Sequence, residues 1–281
     1  MLKRYSQEDF YLLEDVAFDR MHPTSAPMFL WGAFAFGSLI NGIFIYGVYG
    51  ADNPLNSKWS IFATVCIVSL VIQFIFTLLF SKESISYKFQ KSQSLFNSVV
   101  AVKMSLDTYV FLIVFSEAEY FPDHIFLYTL FLCIGGILYM VISTMRGIKR
   151  VQQGHFREGG KGLYNFSESK TYVSLPIIFG ATMMGGAIAR TLSDSASLLA
   201  QAGVVYFFLF SAVVLQYTIA FAIPEFFLVT YGKFRFESFH VPRPKPALKD
   251  TPREVIMAKN PSQRGKASKK GNPKKARRKK K

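Results

Sequence analysis

Six stretches of this chain are apolar for about one bilayer crossing, with polar segments between them. They run 27–49, 59–80, 95–115, 125–145, 172–191 and 199–223. A helix needs roughly 20 such residues to cross the hydrocarbon core. The pattern therefore predicts an all-α polytopic membrane protein, a bundle of about six transmembrane helices. Ahead of the first stretch, Ser6 to Arg20 reads as a short amphipathic helix. Ser6 and Asp9 have capping-box spacing, Phe10, Leu13 and Ala17 share one face, and Pro23 ends it. Glu8, Asp15 and Asp19 point elsewhere. Basic faces are the norm beside a membrane, so this acidic helix either docks on the chain's own basic loops or receives a partner.

The sixth stretch stays apolar too long for one span, and Pro224 is expected to break it. The following IPEFFLVTYGKFRFESF interleaves aromatics with Lys233 and Arg235. That composition suits a segment along the inner interface, rings in the headgroup layer and cations on anionic phosphate. A kinked helix continuing out of the membrane is the alternative. Beyond His240 a proline-spaced linker leads into RGKASKKGNPKKARRKKK, too poor in apolar residues to offset chain entropy and expected to be disordered. Four parts result: a cytosolic N-terminal helix (1–26), the bundle (27–223), the interfacial segment (224–240) and a basic cytosolic tail (241–281).

Charge sharpens this division. The chain carries a net +15 although 51% of its residues are hydrophobic. From Val241 onward there are 16 Lys+Arg against only Asp250 and Glu254, so the basicity belongs to the tail. Among the loops, the N-terminal segment has three Lys+Arg, 81–94 three and 146–171 six. The opposite side has Lys58, none in 116–124, and Arg190 at a span edge. Positive charge stays in the cytosol, which predicts that both termini are cytosolic. The first 25 residues lack a continuous apolar core of the kind a cleaved signal needs, so the first span is expected to direct its own insertion. A bacterial cytoplasmic membrane is the favoured location. The ending Arg278-Lys279-Lys280-Lys281 also approximates a retrieval signal of endoplasmic reticulum membrane proteins.

The tail cations, among them Lys269, Lys270, Lys274, Lys275, Arg277 and Arg278, fit attraction to anionic lipid at about 1 kcal/mol each near the surface. Dense cations without aromatics equally fit sequence-blind contact with RNA or ribosomes. Within the third stretch, Lys103 and Asp107 stand four apart on one helical face and can pair. A charge at such depth costs several kcal/mol and marks a functional site by default. The alternative is a helix that starts nearer Val99, with Lys103 snorkelling to the surface. Asn41, Gln201 and Gln216 are the other candidates for a polar interior. They line a path for an ion or small solute, or act as glue between helices.

Ala33 and Gly37, with Asn41, and Ala181, Gly185 and Ala189 recur at four-residue spacing, which lets helices approach closely. Packing within the bundle or a homo-oligomer contact follows. Gly154 and Gly159 have P-loop spacing, but Gly160 takes the Lys position, so the 146–171 loop is not a nucleotide site. Arg157 and Lys161 remain able to meet a lipid phosphate or an acidic partner. His22, His124, His155 and His240 are scattered, and Cys66 and Cys133 lie inside apolar stretches. Neither metal-ligand spacing nor a nucleophile constellation is visible, and no cofactor is implied. The leading expectation is a non-enzymatic membrane protein acting as subunit, adaptor or protective factor for a membrane system, with a membrane protein partner. The alternative is a small transporter or channel using Lys103 and Asp107. An enzyme acting on lipid head groups is the least supported.

Overall fold

The computed structural model describes residues 2–51, 55–116, 124–163 and 198–243, and every regular element among them is helical. The helices are α1 (Tyr11–Phe18), α2 (Ala26–Tyr49), α3 (Ser60–Ser81), α4 (Glu83–Lys88), α5 (Gln90–Ser116), α6 (His124–Gln152) and α7 (Leu198–Arg235). Met1–Val241 form one compact unit and Pro242–Lys281 a second. Among the described residues, four stretches are long and apolar enough to cross a membrane: Ala26–Tyr49, Ser57–Ser81, Ile125–Gln152 and Val205–Arg235. Most of each faces outward. On α3, Ile61, Val65, Val68 and Ile72 are exposed, as lipid-facing positions should be.

α5 is built the other way round. It packs against α2, α6 and α7, and Gln90, Gln93, Ser94, Asn97, Ser98 and Ser105 are all buried. Their spacing of three to four residues places them on one broad stripe. Partners come from distant parts of the chain. The hydroxyls of Ser94 and Ser98 lie 2.7 and 3.1 Å from that of Thr230 on α7. Gln90 clasps the backbone of Val241, its amide donating to the carbonyl at 2.7 Å and accepting from the N–H at 3.0 Å. The helix starts at Gln90 rather than near Val99. Lys103 therefore lies thirteen residues, roughly 20 Å, along the helix axis.

The N-terminal segment docks on its own chain. Phe10, Leu13 and Ala17 are buried in a cluster with Val151, Phe156, Leu228 and Phe239, the face the sequence predicts. The Ser6 N–H donates to Asp9 Oδ2 at 2.9 Å, and Asp9 Oδ1 accepts from Arg157 Nε at 2.7 Å. Leu12 N–H donates to the Phe156 carbonyl at 3.0 Å. Arg20 pairs with Glu225 on α7 at 3.2 Å. The acidic helix thus meets a basic loop of the same protein, and Arg157 finds its acidic partner there.

The expected break at Pro224 does not occur. α7 runs through Pro224 to Arg235 as one helix of 38 residues. Proline deletes one helical N–H and crowds the preceding turn, but membrane helices tolerate this when neighbours cover the site. Here α6 covers it with Gly147, where a Cβ would come within 2.9 Å of the Pro224 ring. The lipid-contact role read for Lys233 is corrected too. Lys233 is 1% exposed, and its Nζ donates inward to the Met21 carbonyl at 3.1 Å. Arg235 stays exposed, though its guanidinium donates to Tyr231 Oη at 2.7 Å and to the Leu2 carbonyl. Gly232 admits the buried ring of Phe239, which would stand 2.5 Å from a Cβ there.

The predicted span at 172–191, with Ala181, Gly185, Ala189 and Arg190, lies outside the described residues. So do the tail cations Lys269, Lys270, Lys274, Lys275, Arg277 and Arg278.

Candidate functional site: a polar layer between α2, α3 and α5

Lys103 and Asp107 form the pair that their spacing allows. Lys103 Nζ donates to Asp107 Oδ2 at 2.6 Å, and the two side chains keep 21% and 9% of their exposure. The ammonium turns toward the carboxylate, one turn further along the helix, rather than back toward the helix start. The pair lies on the backbone of α2 at Gly37. A Cβ there would stand 3.0 Å from Asp107 Oδ2 and 3.4 Å from Lys103 Nζ. One turn along, Asn41 donates from Nδ2 to the Gly37 carbonyl at 2.8 Å. Its Oδ1 is buried without a partner.

α3 supplies two polar groups that the sequence reading did not single out. Gln73 and Thr77 are 3% and 0% exposed, and Gln73 Oε1 and Thr77 Oγ1 are likewise partnerless. Both lie on the inward stripe of α3, between Cys66 and Phe80. Apolar clusters built from the same three helices bracket this level. Leu30, Ala33, Phe80 and Val100 close one end; Phe44, Val48, Ala63, Cys66 and Val110 close the other. An unsatisfied buried polar group costs about 1–3 kcal/mol, and α2 and α3 carry three such atoms, Asn41 Oδ1 beside the ion pair. A glutamine inside an apolar stretch was the available signal for Gln73.

Gln216 belongs to a separate knot on another side of α5. Tyr109 Oη donates to Gln216 Oε1 at 2.7 Å, and Gln216 Nε2 donates to the Cys133 carbonyl at 3.1 Å. These bonds tie α5, α6 and α7 together, the glue reading of this residue. Asn41 joins the ion pair and Gln216 does not, so the expected single polar network is two. Gln201 falls in the first turns of α7. Ala33 and Gly37 serve contacts inside the chain: Ala33 packs with Leu30, Phe80 and Val100, and Gly37 seats the ion pair.

At the other functional candidate, the docked N-terminal segment, burial opposes ionisation of Asp9. The hydrogen bonds from Arg157 and Ser6 outweigh it and hold the carboxyl below its ordinary value. Burial, with the nearby Lys233 charge, pushes the His22 imidazole below its ordinary value. Among the described residues no three His, Cys, Asp or Glu side chains gather to hold a metal ion.

The fold and the Lys103–Asp107 pair define a helical membrane protein with an ion pair seated between α5 and α2. No family model, no curated protein and no solved structure matches the chain.

Proposed function

We propose that this is a multi-pass integral membrane protein that carries or conducts a small ion across the bilayer through the Lys103–Asp107 layer. The observation that carries the reading is the Lys103–Asp107 ion pair seated on Gly37 of α2, with the buried Asn41 one turn along and its Oδ1 unpartnered. Such a layer costs stability in a bilayer, and intramembrane ionisable groups mark ion and solute pathways. Six crossings, both termini in the cytosol and a bacterial cytoplasmic membrane complete the proposal. The charge distribution supports it: twelve Lys+Arg lie in the N-terminal, 81–94 and 146–171 segments. The test is flux of protons, sodium or potassium into liposomes holding the purified protein. Asp107→Asn should abolish flux while the variant still elutes as a folded monodisperse species in detergent. Unchanged flux in that variant overturns the reading.

A second reading is a non-enzymatic subunit or adaptor that meets a membrane protein partner, anionic lipid or RNA through its tail. The 16 Lys+Arg from Val241 onward favour it. The N-terminal helix gives it less support, since its apolar face is already covered by the chain itself. Affinity purification of the full chain beside a version ending at His240 tests it, and loss of a specific companion on truncation is the supporting result.

A further inference from the structure

Where α6 leaves its apolar stretch there is a cavity that the Lys103–Asp107 pair does not use. Residues 125–145 of α6 include no charged side chain, and at 1.5 Å per residue they span roughly 30 Å, the thickness of a hydrocarbon core. Arg146 follows at once, with Lys149 and Arg150 in the next turn. The cavity measures about 60 Å³ and is lined by Tyr139, Ile142, Ser143 and Arg146 of α6, by Phe221 of α7 and by Leu163. Spacings of three and four put Tyr139, Ser143 and Arg146 on one face of α6. Such a space takes about four waters, or one tetrahedral phosphate group. Beside Arg146, Gly147 packs on Pro224 and Leu163, where a Cβ would come within 2.9 and 3.6 Å. That close contact fixes one wall of the cavity.

The cavity offers hydrogen-bond donors without an acceptor. Arg146 is exposed and Ser143 is 8% exposed. Among the described residues, the guanidinium of Arg146 and the hydroxyls of Ser143 and Tyr139 have no hydrogen-bond or ion-pair partner. The Tyr139 ring stacks on Tyr217 at 5.2 Å, which holds it in place and leaves its hydroxyl available. A guanidinium fork beside two hydroxyls matches the oxygens of a phosphate. No acid on either helix competes: α6 has none, and Glu225 of α7 pairs with Arg20. The other walls are apolar, and Leu138, Val141 and Met145 on the same stretch of α6 are exposed, as at a lipid-facing surface. We propose that this cavity binds the head group of an anionic phospholipid. Its phosphate accepts from Arg146, Ser143 and Tyr139, and an acyl chain lies along Ile142 and Phe221. Free phosphate presents the same oxygens but covers none of that apolar wall, and basic pockets between membrane helices hold such head groups. A zwitterionic lipid would bring its own ammonium against Arg146, Lys149 and Arg150, so net negative charge is selected. The site is distinct from the tail cations and does not depend on the transport reading.

The experiment titrates the full chain in detergent with phosphatidylglycerol, in salt strong enough to screen surface charge, and reads bound lipid by native mass spectrometry. A single phosphatidylglycerol per chain is expected to bind about tenfold more tightly than phosphatidylcholine, the ratio one charge-assisted contact supplies. Arg146→Gln should weaken binding about tenfold. Arg146→Lys should weaken it several-fold, because the charge stays and the fork is lost. Ser143→Ala should weaken it about threefold. Lys149→Gln removes an exposed cation of the same helix that does not line the cavity, and should change affinity by less than about twofold. Arg146 is exposed, so its variants are expected to keep the parent unfolding midpoint. Unchanged affinity in Arg146→Gln overturns the site. Equal losses in Arg146→Gln and Lys149→Gln also overturn it, in favour of diffuse attraction to the helix end. Displacement of the lipid by inorganic phosphate overturns the lipid assignment and leaves a pocket for the free anion. Phosphatidylcholine bound as tightly as phosphatidylglycerol overturns the selection for negative charge.

Discussion

A Cβ on Gly136 would stand 1.9 Å from Oε1 of Gln216, so α6 and α7 approach each other at a distance that only glycine permits. The same oxygen accepts the Tyr109 hydroxyl at 2.7 Å. Gly136→Ala must therefore push Gln216 aside and break the knot between α5, α6 and α7. Overpacking costs about 1–3 kcal/mol, and the lost interhelical hydrogen bonds add about 0.6 kcal/mol each. A Cβ on Gly42 meets nothing within 4 Å, so Gly42→Ala is the matched control and is expected to be neutral or up to about 1 kcal/mol stabilising. Thermal unfolding in detergent separates the two variants, and equal midpoints would remove Gln216 from its place in the packing.

Lys103 and Asp107 are expected to be strongly coupled. Stranding one member of a buried pair costs about 3–5 kcal/mol, whereas removing both need not. Lys103→Ala and Asp107→Ala should each lower the unfolding midpoint more than the double variant does. Gly37→Ala is a gentler probe, because its methyl would meet both charged groups at 3.0 and 3.4 Å. It should spread the pair and lower stability by about 1–3 kcal/mol. Additive losses in the cycle would mean that the two charges are solvated separately.

Much of this was readable from the sequence, and the exceptions share a cause. The 27–49 and 59–80 stretches became Ala26–Tyr49 and Ser60–Ser81, because apolar length and the end signals at Pro27 and Lys82 agree. Four-residue spacing disclosed the Lys103–Asp107 pair, and the Ser6/Asp9 spacing disclosed the turn before α1. The start of α5 was hidden because its polar residues look like loop when their partners are unseen. Ser94 meets Thr230 and Gln90 meets Val241, more than 130 positions away in each case. Pro224 and Lys233 misled for the same reason: the glycine on α6 that seats the proline and the Met21 carbonyl that receives the ammonium are distant in sequence.

Docking of the N-terminal segment should weaken in acid in two steps. His22 and His240 both have depressed pKa values, from burial first, then from Lys233 at His22 and from Lys91 and Lys233 at His240. The docked state holds them neutral while the undocked state titrates near the ordinary 6.5, so stability falls as pH drops through that value. Asp9 is depressed as a carboxylate, so its contribution is present above the ordinary 3.8 and lost only as pH falls below it. Hydrogen exchange of residues 2–21 should quicken between pH 7 and 5.5, and His22→Gln should reduce that first step. Exchange independent of pH in this range would show that these imidazoles do not report on docking.

Lys233 allows two outcomes to be told apart cleanly. Its ammonium is buried and bonded to the Met21 carbonyl, so it orders the chain where the N-terminal segment enters α2 rather than reaching a lipid head group. Lys233→Met preserves the volume and removes a buried charge, which relieves desolvation, but leaves the Met21 carbonyl unpaired at about 1–3 kcal/mol. The two effects oppose each other, and a net change of about 1 kcal/mol is expected. Lys233→Glu sets a carboxylate against that carbonyl and should undock the segment, seen as faster exchange in residues 2–21. Phosphatidylglycerol retained through purification should be unchanged in Lys233→Met. A marked loss of that lipid, with residues 2–21 still protected, would restore Lys233 to the membrane surface.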